Sequence, residues 1–374
     1  MMRGGELDGL LVVAMEQAVA APYCSLLLAD AGARVIKLER PEGDFCRRYD
    51  RGADGESTWF AWLNRGKESL VVDFTRPEDA ALMHRLIRRA DVFLHNLAPG
   101  ALARHGFGSD TLRKGNPGLI SLGISGYGSS GAAAEMKAYD FLVQAEAGLC
   151  AVTGSAEAPA RVGVSLCDIG AGLTAYAAIL RALIGRGRSG AGADIQISLF
   201  DVMADWMNMP LLAQRYLPAK PVRMGLAHPL LAPYGAYACK GGAPIMLAIQ
   251  NEREWERFCT RVLARPELGS DARFADNSAR IANRAALDSE IGRVFSAHDR
   301  DAVAEMLQEA GIAWARLNGL DDLARHPFLR PAEAHFGSAV VRLADLPVRA
   351  RTRRRERVPA LDQQGAAIRR EFAR

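Results

Sequence analysis

Asp168 is the residue best placed to do chemistry in this chain. It stands between an extended apolar stretch, VGVSL, and the small-residue run DIGAGLTAYAAILRALIG. That run predicts a helix, and a carboxylate at its start faces the positive end of the helix dipole. The ionised form is favoured there, and a nucleophilic carboxylate needs that form. The same spacing also describes an aspartate that only caps a helix. Cys167 adjoins it and offers a thiol as a second nucleophile. Two further segments, residues 17–22 and residues 125–130 (SGYGSS), are rich in small residues. They let backbone N–H groups approach a ligand closely, although neither matches a P-loop or a GxGxxG fingerprint. Arg40, Lys67, Arg104 and Lys137 fall at or near expected strand ends, where positive charge can hold phosphates. None of the 7 histidines forms an HExxH pair. His228, in HPLLAPY, lies beside prolines and could line a pocket.

Those residues converge only if strands bring their loops to one edge. Residues 10–15 read as a buried strand, residues 23–31 as a helix closing on Gly32, and residues 34–39 (RVIKLE) as a second strand. Residues 69–74 repeat the strand pattern. RPEDAALMHRLIRR then places a proline early and acids in the first turn of a helix. ADVFLHN gives a strand ending at Asn96, and GLISLGI another. Strands alternating with helices predict an α/β fold with a parallel, doubly wound sheet. Ligands on such sheets sit at the carboxyl ends of the strands, here residues 17–22, 39–41, 73–75, 96–100 and 125–140. After about Leu217 the alternation stops. YGAYACKGGAPIMLAI predicts a hairpin turning at Gly241 and Gly242; residues 252–262 and 284–295 predict helices, and GIAWARL a late strand. The expected division is a large domain over residues 1–200, a linker over 201–225, a small α+β domain over 226–315, and a return to the large domain over 316–374.

Composition narrows the partners. The chain has 374 residues, 49% hydrophobic and 24% charged, an ordinary globular balance. A formal net charge of +4 is too mild to argue for nucleic acid and suits a small anionic ligand. The run RARTRRRER at residues 349–357 lacks interleaved aromatics and reads as a solvated face, so neither nucleic acid nor membrane is expected as a partner. The 6 cysteines form no CxxC pair and no zinc spacing, which predicts reduced thiols in a cytoplasmic protein. The opening MMRGGELDGL lacks a signal-peptide pattern, and apolar runs such as residues 173–183 are expected to be too short and interrupted to span a bilayer.

Beyond this the blocks themselves carry information. LDGLLVVAMEQAVAAPYCSLLLADAGARVIKLERPEGD resembles the opening of class III CoA-transferases, the family of formyl-CoA transferase, carnitine CoA-transferase and α-methylacyl-CoA racemase. LNRGKESLVVDF, ADVFLHNLAPGALARHGFG, NPGLISLGISGYGSSG, KAYDFLVQAEAGL and GVSLCDIGAGL resemble it too, in the family's order and spacing. The resemblance implies a large Rossmann-like domain built from both chain ends, a smaller α+β domain, and an interlocked homodimer. It places the catalytic aspartate on Asp168. It places coenzyme A contacts on Val19, Ala20, Arg40, Val72, Asp73, Phe74, Thr75, Asn96, Leu97, Ala98, Arg104, Lys137, Ala138, Tyr139 and Asp140. It implies coenzyme A, as an acyl-CoA co-substrate, and a small carboxylic acid, with no metal and no redox cofactor.

The implied chemistry is acyl transfer through a mixed anhydride and an aspartyl-CoA thioester on Asp168. Backbone N–H groups near Val19 and Ala20 and at the Gly241–Gly242 turn are expected near the oxyanions. The racemase branch carries a histidine before an aspartate, in a GHD-like string. Here that place is Tyr139, and tyrosine is a poor proton shuttle at neutral pH. The glycine-rich loop of formyl-CoA transferase has no counterpart before Glu252, which argues against formate and oxalate. EQAVAAPYC, GDFCRRYD and STWFAWLNRGKESL look closest to transferases that use succinyl-CoA and a C4–C5 dicarboxylate: itaconate, mesaconate, malate or citramalate. Arg47, Arg48 and His228 are the expected partners of the second carboxylate. An α-methylacyl-CoA racemase-like isomerase, a formyl-CoA:oxalate-type transferase and an inactive CoA-binding homologue are the alternatives.

Overall fold

The structure, a computed structural model, describes residues 5–217, 220–348 and 356–373. The chain divides into two compact units, one of residues 1–150, 161–212 and 330–374, the other of residues 151–160 and 213–329. The return to the first unit thus begins at Arg330, and what was expected as a linker over 201–225 is largely helical, with helices at Leu199–Trp206 and Asn208–Tyr216.

The first unit runs β1 (Leu11–Met15), α1 (Ala20–Asp30), β2 (Arg34–Glu39), α2 (Thr58–Asn64), β3 (Glu68–Val71), α3 (Pro77–Arg89), β4 (Val92–His95), α4 (Ser109–Gly115) and β5 (Ile120–Ser125). It continues through α5 (Asp140–Glu146), the single turn α6 (Leu149–Val152), whose last two residues belong to the other unit, α7 (Leu166–Ser189), β6 (Ala193–Ser198) and α8 (Leu199–Trp206). The six strands form one parallel sheet in the order β3-β2-β1-β4-β5-β6. The order reverses between β1 and β4, the point where doubly wound sheets open a crevice for ligands. β1 (LVVAM) and β4 (VFLH) lie inside the sheet and are covered on both faces, which is why they read as continuous apolar runs. Val12, Ala14, Leu94 and Leu122 pack under α1 and α7, and Val13, Ile36 and Phe93 pack against α3 through Leu82 and Leu86. β6 (ADIQIS) was not anticipated. It is an edge strand with Asp194 and Gln196 exposed, so only a short alternating pattern marks it.

α7 spans 24 residues and is long and apolar enough to cross a membrane, contrary to the expectation from residues 173–183. Here Ala171, Ala175 and Ile179 are buried against the sheet layer instead. Small residues let it lie close to α1: a Cβ on Gly172 would stand 2.5 Å from the Ala20 carbonyl oxygen. The later chain adds the hairpin Pro331–Phe336 and Ala339–Ala344, whose Phe336 ring meets Phe60 of α2 at 5.7 Å. A last helix, Gly365–Glu371, is tied to the sheet by Ser69 N–H donating to Gln364 at 2.8 Å and to α3 by an Arg369–Asp79 ion pair of 2.7 Å. Most of the arginine-rich run, residues 349–355, lies outside the described residues.

The second unit holds an antiparallel sheet of β7 (Tyr234–Ala238), β8 (Pro244–Ala248) and β9 (Ala313–Arg316). The expected hairpin turns at Gly241 and Gly242, whose φ values of 76° and 85° suit glycine. Its core gathers Ile245, Leu247, Trp255, Phe258, Phe274 and Phe295.

Candidate active site

Because the sheet is parallel, the loops that follow β1 to β5 emerge at one edge. At the switch point two of them are bound face to face. The Asn96 side chain accepts from Gln17 N–H at 3.0 Å and donates to the Gln17 carbonyl at 2.8 Å. Arg40 reaches the same loop, donating to Gln17 Oε1 at 2.8 Å, and its side chain stays exposed. Val19 and Ala20 are 3% exposed at the head of α1, which opens without a side-chain cap. Val72 is buried, whereas Asp73 and Phe74 are half-buried and Thr75 is exposed. Asp73 accepts from both the N–H and the hydroxyl of Thr75, at 3.0 and 2.6 Å. The Phe74 ring meets His105 at 5.0 Å, which places this loop beside exposed Arg104. Leu97 is half-buried and Ala98 exposed. Ala138 lies so close to the loop after β5 that a Cβ on Gly126 would stand 2.0 Å from its own Cβ. Lys137 and Tyr139 beside it are exposed.

Beneath this edge lies a buried ionic cluster. Lys37 donates to Asp44 at 2.9 Å and lies 3.5 Å from Glu16, while Lys67 donates to Glu16 at 2.7 Å. All four side chains are fully buried. Burial opposes the charge on Lys37, but Asp44 and Glu16 outweigh it and hold the ammonium above its usual range. Burial lowers Lys67 to about 8, with Glu16 opposing and Lys37 adding to the fall. The cluster supports the loop after β1. Asp44 also accepts from Ala18 N–H at 3.1 Å, and Ala18 has a φ of +61°, a conformation unusual for a residue with a Cβ.

Two expectations are corrected here. Lys67 does not stand free for phosphate, because its ammonium is spent on Glu16, the Pro22 carbonyl and Asn64. Arg47 does not stand free for a substrate carboxylate. It grips Glu39 with two bonds of 2.7 and 2.8 Å and lies 3.8 Å over the Phe60 ring. Burial opposes the Glu39 charge, but Arg47 and Lys37 bring that carboxyl down to about 2. Arg48 bonds the Glu42 carbonyl at 2.8 Å. His228, Gly241 and Gly242 belong to the second unit. His228 Nδ1 accepts from Leu230 N–H at 3.0 Å and the ring stacks on Tyr234 at 5.1 Å.

Asp168 is not the capping residue. α7 begins at Leu166 after Ser165, whose side chain makes no cap bond, so Asp168 is the third helical residue. The cap comes from elsewhere. Asp140, the first residue of α5, accepts from the N–H groups of Cys167 at 2.7 Å and Asp168 at 3.3 Å. Its other oxygen takes the Gln144 amide at 2.7 Å. The Asp140 side chain, 8% exposed, is therefore engaged within the protein and not held out to coenzyme A. Burial first, and the Asp140 charge second, raise Asp168 to about 7. The helix dipole was expected to favour ionisation; desolvation and a like charge prevail. A partly buried carboxylate of this basicity is a stronger nucleophile than a solvated one, and it still ionises near neutrality.

Tyr49 was missed. Burial first, then nearby charges that include Asp168, push its phenol up. It heads an aromatic row, meeting Trp59 at 5.9 Å, which in turn meets Trp62 at 6.2 Å. A cavity of about 370 Å3 lies between Trp59 and Trp62 of α2, Ser165 and Ile169 around the start of α7, and Val341 and Leu343. Tyr49, Trp59 and Trp62 all stand inside GDFCRRYD and STWFAWLNRGKESL, so likeness was the only signal for them.

Cys167 is fully buried, and burial, with Asp140 and Asp168 nearby, pushes its thiol up to about 12. A thiol so rarely ionised is inert. Cys167 should resist iodoacetamide at pH 8 while half-exposed Cys150 reacts, as read by peptide mass spectrometry. Rapid labelling of Cys167 would revive it as a nucleophile. Among the described residues, no group of three His, Cys, Asp or Glu is placed to hold a metal.

Fold and site together define an α/β protein that presents strand-end loops and a basic carboxylate at the head of a helix. The family model described as CoA-transferase family III matches residues 7–363, and the chain belongs to that family. It is an enzyme of that kind, using CoA thioesters and carboxylic acids. It is 34% identical to an acetyl-CoA:oxalate CoA-transferase of Acetobacter aceti, over 99% of this chain and 96% of that one. It is 36% identical to a succinate–glutarate CoA-transferase of Agrobacterium fabrum, over 74% and 71% of the two chains. A CaiB/BaiF family protein from Brucella suis has a crystal structure that superposes with a TM-score of 0.84 at 34% identity, covering 99% of this chain and 100% of that one.

Proposed function

We propose that the enzyme moves coenzyme A from an acyl-CoA donor, succinyl-CoA foremost, to a free dicarboxylic acid, with Asp168 as the nucleophile. The observation that carries this reading is the near-neutral, partly buried carboxylate at the head of α7. A carboxylate oxygen of Asp168 attacks the donor thioester carbonyl and expels the CoA thiolate, leaving a mixed anhydride. The thiolate then attacks the aspartyl carbonyl, releases the donor carboxylate and forms an aspartyl-CoA thioester. The acceptor carboxylate attacks that thioester and expels the thiolate, giving a second anhydride. The thiolate takes the acceptor acyl group and restores the Asp168 carboxylate. Each attack builds an oxyanion, and the uncapped first turn of α1 at Val19 and Ala20 supplies N–H groups for it.

Dicarboxylates are favoured because proteins similar to this one are named for them. Besides the oxalate and succinate–glutarate enzymes, a succinyl-CoA:mesaconate CoA-transferase of Haloarcula hispanica is 31% identical over 88% of this chain and 84% of that one. Itaconate, mesaconate, malate and citramalate remain the proposed acceptors, with glutarate added. The oxalate relative weighs against setting oxalate aside on the ground of a missing glycine loop. A second copy of the chain is the proposed partner, since Leu173 and Ile184 of α7 are 47% and 60% exposed.

The test is incubation with succinyl-CoA or acetyl-CoA and a panel of free acids, reading new CoA esters by mass spectrometry. A dicarboxylyl-CoA product is expected. Transfer to monocarboxylates alone would overturn the acceptor class. Loss of an α-deuteron from a labelled acyl-CoA without transfer would move the enzyme to the racemase branch, which a carboxylate titrating near 7 could also serve.

A further inference from the structure

Asp140 and Gln144 stand one helical turn apart on α5, and both are buried. Between them they hold the whole segment that leads into α7. Gln144 accepts from Val162 N–H at 2.9 Å, and its amide also reaches the Val164 carbonyl at 3.3 Å. Asp140 takes the next two donors along, Cys167 and Asp168 N–H. A helix end needs acceptors for its first N–H groups, and a local side chain usually supplies one. Ser165 does not, so a carboxylate 27 and 28 residues earlier in the chain fills the position.

We propose that Asp140, braced by Gln144, is a positioning residue for Asp168: its carboxylate fixes the backbone of the nucleophile and sets a buried negative charge at the start of its helix. This rests on the reading of Asp168 as the nucleophile. The titratable groups whose charges act on or feel Asp168 are Asp140 from α5, Cys167 on the same helix and Tyr49, which follows the 45–48 turn. Burial holds the Tyr49 and Cys167 protons on at neutral pH. Asp140 is thus the like charge that acts on Asp168 in addition to burial.

The charge and the cap separate by substitution. Asp140→Asn keeps an oxygen for the two N–H groups and removes the charge. The acid limb of its kcat/KM profile should move about one pH unit lower, with KM for the acyl-CoA unchanged. Asp140→Ala removes both, and kcat should fall at least about tenfold at constant KM, while Asp140→Asn recovers most of that loss. Because loss of the cap also weakens the fold, thermal unfolding of both variants is compared with the wild type. An unmoved acid limb in Asp140→Asn, or wild-type kcat in folded Asp140→Ala, overturns the proposal.

Failure of the underlying reading looks different: Asp168→Asn would still transfer CoA. Amide hydrogen exchange across residues 162–170 then still decides on the clamp. Faster exchange in Asp140→Ala supports it, and unchanged exchange overturns it.

Discussion

Asp168→Asn should abolish CoA transfer and at the same time make the protein more stable near neutral pH. The amide cannot form the anhydride, so a loss of about three orders of magnitude or more in kcat is expected. The stability gain follows from linkage. In the unfolded chain Asp168 titrates near its ordinary 3.8; folded, it titrates near 7. Between those values the native state binds more protons than the unfolded state, so unfolding free energy falls as pH rises. The penalty is absent below about pH 4 and complete above about pH 7. Asparagine carries no such charge, and at pH 8 the variant should exceed the wild type by roughly 1–3 kcal/mol. Paired thermal melts at pH 4 and pH 8 test this. A gap of the same size at both values would mean the asparagine stabilises by something other than relief of a buried charge.

Lys37→Met should be the most damaging single change to the ionic cluster. It strands fully buried Asp44, while Glu16 keeps Lys67, the one remaining cation among those four side chains. Breaking a buried pair from one side typically costs about 3–5 kcal/mol, since the orphaned charge remains out of water. Urea unfolding should show that loss. Adding Asp44→Asn should recover part of it, because the second substitution removes the orphaned charge and leaves an oxygen for the Ala18 N–H. If the double variant is no more stable than the single one, the loss comes from packing around the Lys37 stem. Activity should fall too, because Asp44 steadies the loop that carries Ala18 and Val19.

These two residues show where sequence reasoning reaches and where it stops. The helix after Asp168 was legible from its small residues, and β1, β2 and β4 from apolar runs flanked by turn residues. Such signals are local, and a strand buried on both faces has no alternative to being apolar. α2 and the hairpin Pro331–Phe336 with Ala339–Ala344 were not legible, because α2 has only 7 residues and the hairpin's inward positions include the small Ala332, Ala334 and Ala339, which make its alternation faint.

The amino-acid order alone thus determined the alternation of strands and helices, the loops at the strand ends, and the carboxylate at the head of a small-residue helix. Likeness to a family then marked that carboxylate as the nucleophile. Only the tertiary structure decided how Asp168 ionises and which charges are free. Lys67 and Arg47 look like surface cations in the chain, yet they face Glu16 and Glu39, which lie far from Lys67 and near Arg47 in sequence but in both cases inside the fold. Desolvation depends on everything packed around a group, and the Asp140 bonds join residues 27 and 28 positions apart. No local pattern encodes either quantity, because each comes into being when α5 and α7 meet.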